Sequence, residues 1–243
     1  MSDTVEKTRN GAILYDTDII NQISDAAFSA ASWPSSEPIK GVLRSAGRGD
    51  TVIVSTGEQD YVLRHYHRGG VPGRLVRDSY LWLGERKTRS FAEWFLLAKL
   101  NRMGLPVPRP AAARYCRVGP FYTADLLTVR IPNVCSLADR IASRPGTEGF
   151  WQSLGRQLHR FHAAGVYHAD LNAYNIQFGT HDKLYLLDFD RGKLMGPGQW
   201  QQKTLRRLHR SLQKIKKAEP AIHYSHENWN QLLEGYFSAS RSA

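Results

Sequence analysis

The stretch His168-Ala169-Asp170-Leu171-Asn172-Ala173-Tyr174-Asn175 sets a carboxylate and an amide five residues apart, and Asp188 follows the apolar run Leu184-Tyr185-Leu186-Leu187. These types at this spacing suit phosphoryl transfer. That chemistry needs a carboxylate to orient the attacking hydroxyl and accept its proton, and oxygen ligands for the Mg2+ that bridges nucleotide phosphates. Asp170 fits the first role. Asn175 and Asp188 fit the second, as hard oxygen donors of the kind Mg2+ prefers. Taken singly, Asp170 and Asn175 are turn formers and Asp188 merely ends a strand. Together, and preceded by Phe161-His162-Ala163-Ala164-Gly165-Val166 at the end of a helix, they read as a catalytic loop. Val166, Leu171, Ile176, Leu186 and Leu187 flank the polar groups as hydrophobic anchors that would hold them rigid.

The elements that must position this loop follow from periodicity. Thr51-Val52-Ile53-Val54 and Tyr61-Val62-Leu63-Arg64, separated by Thr56-Gly57-Glu58-Gln59-Asp60, predict a hairpin. Residues 90–103 predict a helix with Ser90 as N-cap and Gly104 closing it, and residues 111–118 and 121–131 predict strands. Beyond Pro132 the period changes. Phe150, Leu154, Leu158 and Phe161, with Trp151, predict a helix over 149–164, and Leu205, Leu208, Leu212 and Ile215 another over 204–217. Residues 1–10 and 238–243 read as frayed, and residues 29–41, with Pro34 and Pro38, as a linker. Strands with one helix, then helices with a short hairpin, make an α+β, two-lobed chain. Residues 1–133 form an antiparallel β N-terminal lobe with a glycine loop, a basic insert and one helix. Residues 134–243 form a small, mainly helical C-terminal lobe with the catalytic loop and the metal-binding Asp.

Composition narrows the partners. Of 243 residues 42% are hydrophobic and 23% charged, which excludes a disordered tail or a small disulfide scaffold. The 33 Lys and Arg against 22 Asp and Glu leave a net charge of +11, an attraction for polyanions. Residues 64–89 hold seven basic residues (Arg64, Arg68, Arg74, Arg77, Arg86, Lys87, Arg89) against Asp78 and Glu85, a net of +5, interleaved with Tyr80-Leu81-Trp82-Leu83. Residues 203–217 add Lys203, Arg206, Arg207, Arg210, Lys214, Lys216 and Lys217 with no acid. Such runs are either solvated faces or surfaces for phosphate- and carboxylate-bearing lipid. Cys116 and Cys135 lack a CxxC pattern and read as reduced, buried thiols. No apolar run approaches the ~18–20 residues of a membrane helix, and the first ten residues lack a signal-type apolar core, so the chain reads as soluble or membrane-peripheral. His159 and His162 lack a third ligand for a metal, and His162 is expected beneath the catalytic loop. Trp151, Trp200 and Trp229 are expected in the core.

The motif H-x-D-L-x-x-x-N, with Asp188-Phe189-Asp190, resembles the protein-kinase-like fold. Tyr61-Val62-Leu63-Arg64-His65-Tyr66-His67-Arg68-Gly69-Gly70, His168-Ala169-Asp170-Leu171-Asn172 and Asp188-Phe189-Asp190-Arg191-Gly192 closely resemble the bacterial 3-deoxy-D-manno-octulosonic acid (Kdo) kinases. The resemblance spans residues 40–217, including Trp200 and the helix through Arg206 and Leu212. It implies transfer of phosphate from ATP to O4 of Kdo on a lipid A precursor, during lipopolysaccharide core assembly. It also implies a bacterial cytoplasmic protein, peripheral on the inner membrane, whose partners are Kdo-lipid A precursor and the anionic inner-membrane leaflet. Neither nucleic acid nor a protein partner is expected.

On the nucleotide side, Gly47-Arg48-Gly49 is either a glycine loop over the phosphates or a plain turn. Arg64 stands where the kinase fold carries a third-strand lysine. Strand alternation puts it on one face with Val62, an adenine wall, and its guanidinium would grip phosphate as a fork. Glu93 is either the helical partner of Arg64 or half of a Ser90-x-x-Glu93 capping box. Asp190 replaces a glycine and removes freedom at φ > 0, so no flipping switch is expected. It would add a metal oxygen or a salt bridge to Arg191. Only 55 residues follow Asp188 and no Ala-Pro-Glu string occurs among them, which argues against a peptide acceptor. The insert residues Arg68, Arg74, Arg77, Arg86, Lys87 and Arg89, with Trp82 as interfacial anchor, are expected to meet the acceptor and its leaflet. Two alternatives stand beside this reading. One is another small-molecule kinase, for which a heptose suits a basic protein better than a polycationic aminoglycoside. The other is a non-catalytic nucleic-acid-binding module, which would not need Asp170, Asn175 and Asp188 together.

Overall fold

The computed structural model describes residues 2–38, 51–67 and 78–241, and the chain divides into two units, Met1–Ile131 and Pro132–Ala243. In chain order the first unit contains β1 (Asp3–Thr8), β2 (Gly11–Asp16), β3 (Ser35–Pro38), β4 (Thr51–Ser55), β5 (Asp60–His65) and β6 (Tyr80–Leu81). Helix α1 (Arg89–Arg102), β7 (Pro110–Val118) and β8 (Phe121–Val129) complete it. The strands form one antiparallel sheet in the order β1-β2-β7-β8-β5-β4-β3, with β6 on β8. The expected hairpin is β4–β5, in register from Thr51↔Arg64 to Ser55↔Asp60. Tyr61 and Leu63 enter a core with Ile13, Tyr15, Phe28, Val54 and Leu127. The two-residue period therefore turns Val62 and Arg64 to the other face. Helix α1 buries Phe91, Trp94, Leu97 and Leu100 and packs on β7 and β8.

Four expectations are corrected here. Residues 3–8 form a strand rather than a frayed end. Every residue of β1 but the last is exposed, so it carries no core signal, and its backbone ladder to the buried strand β2 holds it. Residues 29–41 are not a linker as far as Pro38. Residues 30–32 make a 3-10 turn and 35–38 an edge strand. Trp33 donates from Nε1 to Ala27 O at 2.9 Å and stands against the Tyr61 ring. Helix α1 begins one residue early, with Thr88 at the N-cap position, while Ser90 lies inside it and donates to Arg114 O at 2.8 Å. Finally, Cys116 is half-buried and Cys135 exposed, both as free thiols.

The second unit holds β9 (Cys135–Ser136), α2 (Leu137–Ser143), α3 (Phe150–Ala163), β10 (Val166–Tyr167), β11 (Ile176–Phe178), β12 (Leu184–Leu186), β13 (Lys193–Leu194), α4 (Trp200–Ala218) and α5 (His226–Arg241). Short sheets β12-β11-β9 and β10-β13 frame the loops between them. The stripe Phe150, Leu154, Leu158 and Phe161 is buried as its spacing requires, and α3 packs along α5. Trp151, Trp200 and Trp229 are all buried. An antiparallel sheet with one long helix followed by a mainly helical unit makes the α+β class read from the sequence.

Candidate active site

In the second unit, β10 and β11 bracket the loop 168–175, whose apolar residues Leu171 and Ala173 are buried. Its geometry is set by backbone hydrogen bonds to its own side chains. His168 is buried. Its Nε2 donates to Leu187 O at 2.8 Å and its Nδ1 accepts from Asp170 N at 3.2 Å. Burial lowers its pKa, and only the neutral ring can accept at Nδ1 while donating at Nε2. Asn172 Oδ1 accepts from Tyr174 N at 2.9 Å and Asn175 N at 3.1 Å, closing a local turn. Two amide nitrogens, Asn172 Nδ2 at 3.0 Å and Asn175 Nδ2 at 2.9 Å, converge on Asp170 O. The peptide beneath the Asp170 carboxylate is thus held from three sides.

The pair of metal-ligand candidates, Asn175 and Asp188, is positioned by strand register. Ile176 pairs with Leu186 across β11–β12, and Leu187 N donates to Asn175 O at 2.9 Å. Asn175 and Asp188 are therefore brought to the same end of the small sheet. Asp188 sits at φ +60°, a left-handed conformation that short polar side chains tolerate best. With Nδ2 of Asn175 committed to the loop, its Oδ1 is left as a hard donor. One carboxylate and one amide oxygen, completed by phosphate oxygens and water, is a donor set that fits Mg2+. The left-handed turn residue after Phe189 is Arg191, at φ +59°, not Asp190, and Arg191 Nε lies 4.0 Å from Asp190 Oδ2.

Sequence reasoning missed one neighbour of Asp170. Its Oδ1 accepts from Arg207 Nε at 2.9 Å and Nη2 at 2.8 Å. One turn along α4, Ser211 Oγ accepts from Ala173 N at 3.2 Å. Helix α4 therefore splints the loop 168–175 at two points, whereas Arg207 had read only as part of a basic face. His162, expected beneath that loop, instead bridges helices. Its Nδ1 meets Tyr236 Oη at 2.8 Å and its Nε2 meets Thr204 Oγ1 at 3.0 Å.

In the first unit, Arg64 Nη2 donates to Glu93 Oε2 at 2.5 Å and to Tyr66 Oη at 3.0 Å, while Tyr66 Oη donates to Glu93 Oε2 at 2.7 Å. Glu93 is buried and pairs with Arg64 instead of capping its own helix. Tyr66 is the member that sequence reasoning missed. Its position two residues after Arg64, on the same strand face, was the available signal. Val62 is half-buried on that face. Arg89 belongs here too, its guanidinium 5.9 Å from the Tyr66 ring and 4.8 Å from that of Tyr80. Arg86 and Lys87 are exposed, whereas Trp82 packs on Tyr115 with ring centroids 4.9 Å apart and is no outward anchor. Gly47, Gly49, Arg68, Arg74 and Arg77 lie outside the described residues.

Comparison with known proteins sets these arrangements in a family. The model of the lipopolysaccharide kinase (Kdo/WaaP) family matches residues 37–236. A 3-deoxy-D-manno-octulosonic acid kinase of Xanthomonas euvesicatoria pv. vesicatoria is 45% identical over 208 residues, covering 85% of this chain and 82% of that protein. The 3-deoxy-D-manno-octulosonic acid kinase of Vibrio parahaemolyticus is 38% identical over 225 residues, 93% of each chain. Among solved structures, the bifunctional kinase-methyltransferase WbdD aligns with a TM-score of 0.50 at 15% identity, over 86% of this chain and 47% of that one. That likeness speaks for the fold alone. The two-unit α+β architecture agrees with relatives that match over most of the chain, and the chain belongs to the lipopolysaccharide kinase (Kdo/WaaP) family.

Proposed function

We propose that this protein transfers the γ-phosphoryl group of Mg2+-bound ATP to the 4-hydroxyl of Kdo on a lipid A precursor, in lipopolysaccharide inner-core biosynthesis. The work is done at the cytoplasmic face of the bacterial inner membrane. The observation that carries the reading is the loop around Asp170, held by His168, Asn172 and Asn175, in a chain whose relatives are named for Kdo. Asp170 orients the acceptor hydroxyl and takes its proton as that oxygen bonds to phosphorus and ADP departs. Arg207 holds the carboxylate in place through its two nitrogens. Asn175 and Asp188 would hold Mg2+, which when bound neutralises charge on the phosphates. Arg64, aligned by Glu93 and Tyr66, offers its fork to phosphate oxygens. A loop so densely tied favours a catalyst over a passive polyanion-binding module.

The test is incubation of the protein with ATP, Mg2+ and purified Kdo-lipid A precursor, followed by mass spectrometry and localisation of the phosphate. A gain of one phosphate on Kdo, lost in Asp170→Asn, is expected. Phosphorylation of a heptose-bearing acceptor in its place would overturn the assignment of Kdo.

A further inference from the structure

Seven large hydrophobic residues are exposed among the described ones, and four of them, Leu81, Leu83, Val118 and Phe121, meet at one tip of the first unit's sheet. Leu81 pairs with Phe121 across β6–β8, and Phe121 with Val118 across the β7–β8 turn. Directly opposed residues share a face, so Leu81, Phe121 and Val118 point the same way, and exposed Leu83 follows two residues after Leu81. Their exposures run from 45% for Phe121 to 75% for Val118. The alternate residues point inward. Tyr80 and Tyr122 are buried, and Trp82 rests on Tyr115 and Tyr122. Trp82 also donates from its backbone to Pro120 O at 2.8 Å, which ties the 81–83 segment to the turn.

The same end of the sheet is basic, with its cations on the opposite face, where Arg117 opposes Tyr122 and Arg86 lies over the Phe95 ring of α1. Arg117 lies over the Trp82 ring at 4.9 Å, and Arg117 N donates to Asn10 O at 2.6 Å, which brings the β1–β2 turn with exposed Arg9 alongside. Exposed Arg86 and Lys87 follow Leu83 within four residues. Glu85, the acid among them, is neutralised by Lys7. Water-exposed apolar side chains in one cluster mark an interaction site. Exposed apolar side chains with cations beside them at one end of a sheet fit one partner in particular, a bilayer surface with anionic headgroups, where the apolar tips enter the acyl boundary and the guanidinium and ammonium groups stay at phosphate level.

We propose that the tip formed by Leu81, Leu83, Val118 and Phe121, with Arg9, Arg86, Lys87 and Arg117 at the same end of the unit, is the surface by which this protein rests on anionic membrane. The proposal deepens the reading of a lipid-borne acceptor and can fail while that reading stands. It is tested with the full chain and vesicles of phosphatidylethanolamine and phosphatidylglycerol that contain no Kdo lipid, so that no catalysis is involved. The double variant Leu83→Glu/Val118→Glu should lower the sedimented fraction by ~10-fold or more, since it removes apolar area and adds charge of the wrong sign. Arg86→Glu/Lys87→Glu should weaken binding chiefly at low salt. Both pairs are exposed, and thermal melts equal to that of the parent will show that they fold. Turnover of a deacylated Kdo acceptor should be unchanged in Leu83→Glu/Val118→Glu. Parent-like sedimentation of that variant would overturn the proposal. So would its conversion of an oligomeric parent to monomer, which would make the patch a contact between copies.

Discussion

In the proposed transfer the chemistry turns on Asp170, and its surroundings separate that role from any role in folding. Its carboxylate pairs with one exposed arginine, a contact worth little to stability in water. Asp170→Asn should therefore melt like the parent and bind nucleotide as tightly, while kcat falls by ~10²–10⁴. Retention of more than half the turnover would remove it from the mechanism. Asp188→Ala should act on a different observable, abolishing the Mg2+ dependence of ATP binding, which nucleotide titrations with and without the metal will read. At Arg64 the two roles overlap. Lysine keeps the charge but has no fork with which to serve Glu93, Tyr66 and a phosphate together, so Arg64→Lys should raise the KM for ATP. Arg64→Ala should do so more strongly, and should also destabilise the fold by ~3 kcal/mol, because the buried Glu93 carboxylate loses its cation while keeping the Tyr66 hydroxyl. If both variants kept the parental KM, the phosphate role would belong to another residue, with Arg68 the next candidate.

Elements decide which of these residues could be read in advance. The loop 168–175 was legible because its ligands lie within one short segment and its anchors alternate with them. Tyr66–Glu93 and Arg207–Asp170 were not, because the partners stand 27 and 37 positions apart and only the fold brings them together. The same contrast holds for the strands and helices. Period marked β4, β5, β7, β8 and α3, all of which bury a face. It missed β1 and β3, polar edges that only their backbone ladders hold, and also β2, whose continuous buried run shows no two-residue period. It also missed how α3 meets α5. A Cβ on Gly155 would lie 2.0 Å from Leu232 O, and one on Gly235 would lie 2.0 Å from Gln152 O. Inside a helix a glycine reads as weakness, yet here two of them let backbones touch. Gly155→Ala and Gly235→Ala should each cost about 3 kcal/mol, near the top of the range for overpacking, despite alanine's better helix propensity. Urea denaturation will measure both, and a stabilised Gly155→Ala would refute so close a crossing.

At the scale of the whole molecule, the histidines give the two units opposite responses to pH. In the second unit His162 donates from Nε2 to Thr204 Oγ1, which itself donates to Gln201 O, and accepts at Nδ1 from the Tyr236 hydroxyl. That arrangement needs the neutral ring. Burial, with His159 and His168 nearby, lowers the pKa of His162 to about 4. The unfolded chain takes up this proton near 6.5 and the native one does not. Stability from His162 is therefore complete above 6.5 and is lost as pH falls toward 4, by ~3 kcal/mol in all. His168, depressed by burial as well, acts in the same direction. In the first unit His65 behaves inversely. Its hydrogen bond at 2.7 Å to the buried Asp125 raises its pKa, against the cost of burial. Its contribution is complete below 6.5 and disappears as pH rises through the elevated folded value. Between pH 7 and 5, amides of α3, α4 and α5, corrected for intrinsic exchange, should therefore lose protection while those of β5 and β8 hold or gain it. His162→Gln, which can still donate to Thr204 and accept from Tyr236, should flatten the slope in the second unit alone. Hydrogen exchange followed by peptide mass spectrometry resolves the units, and slopes of the same sign in both would show that these histidines do not govern the acid response.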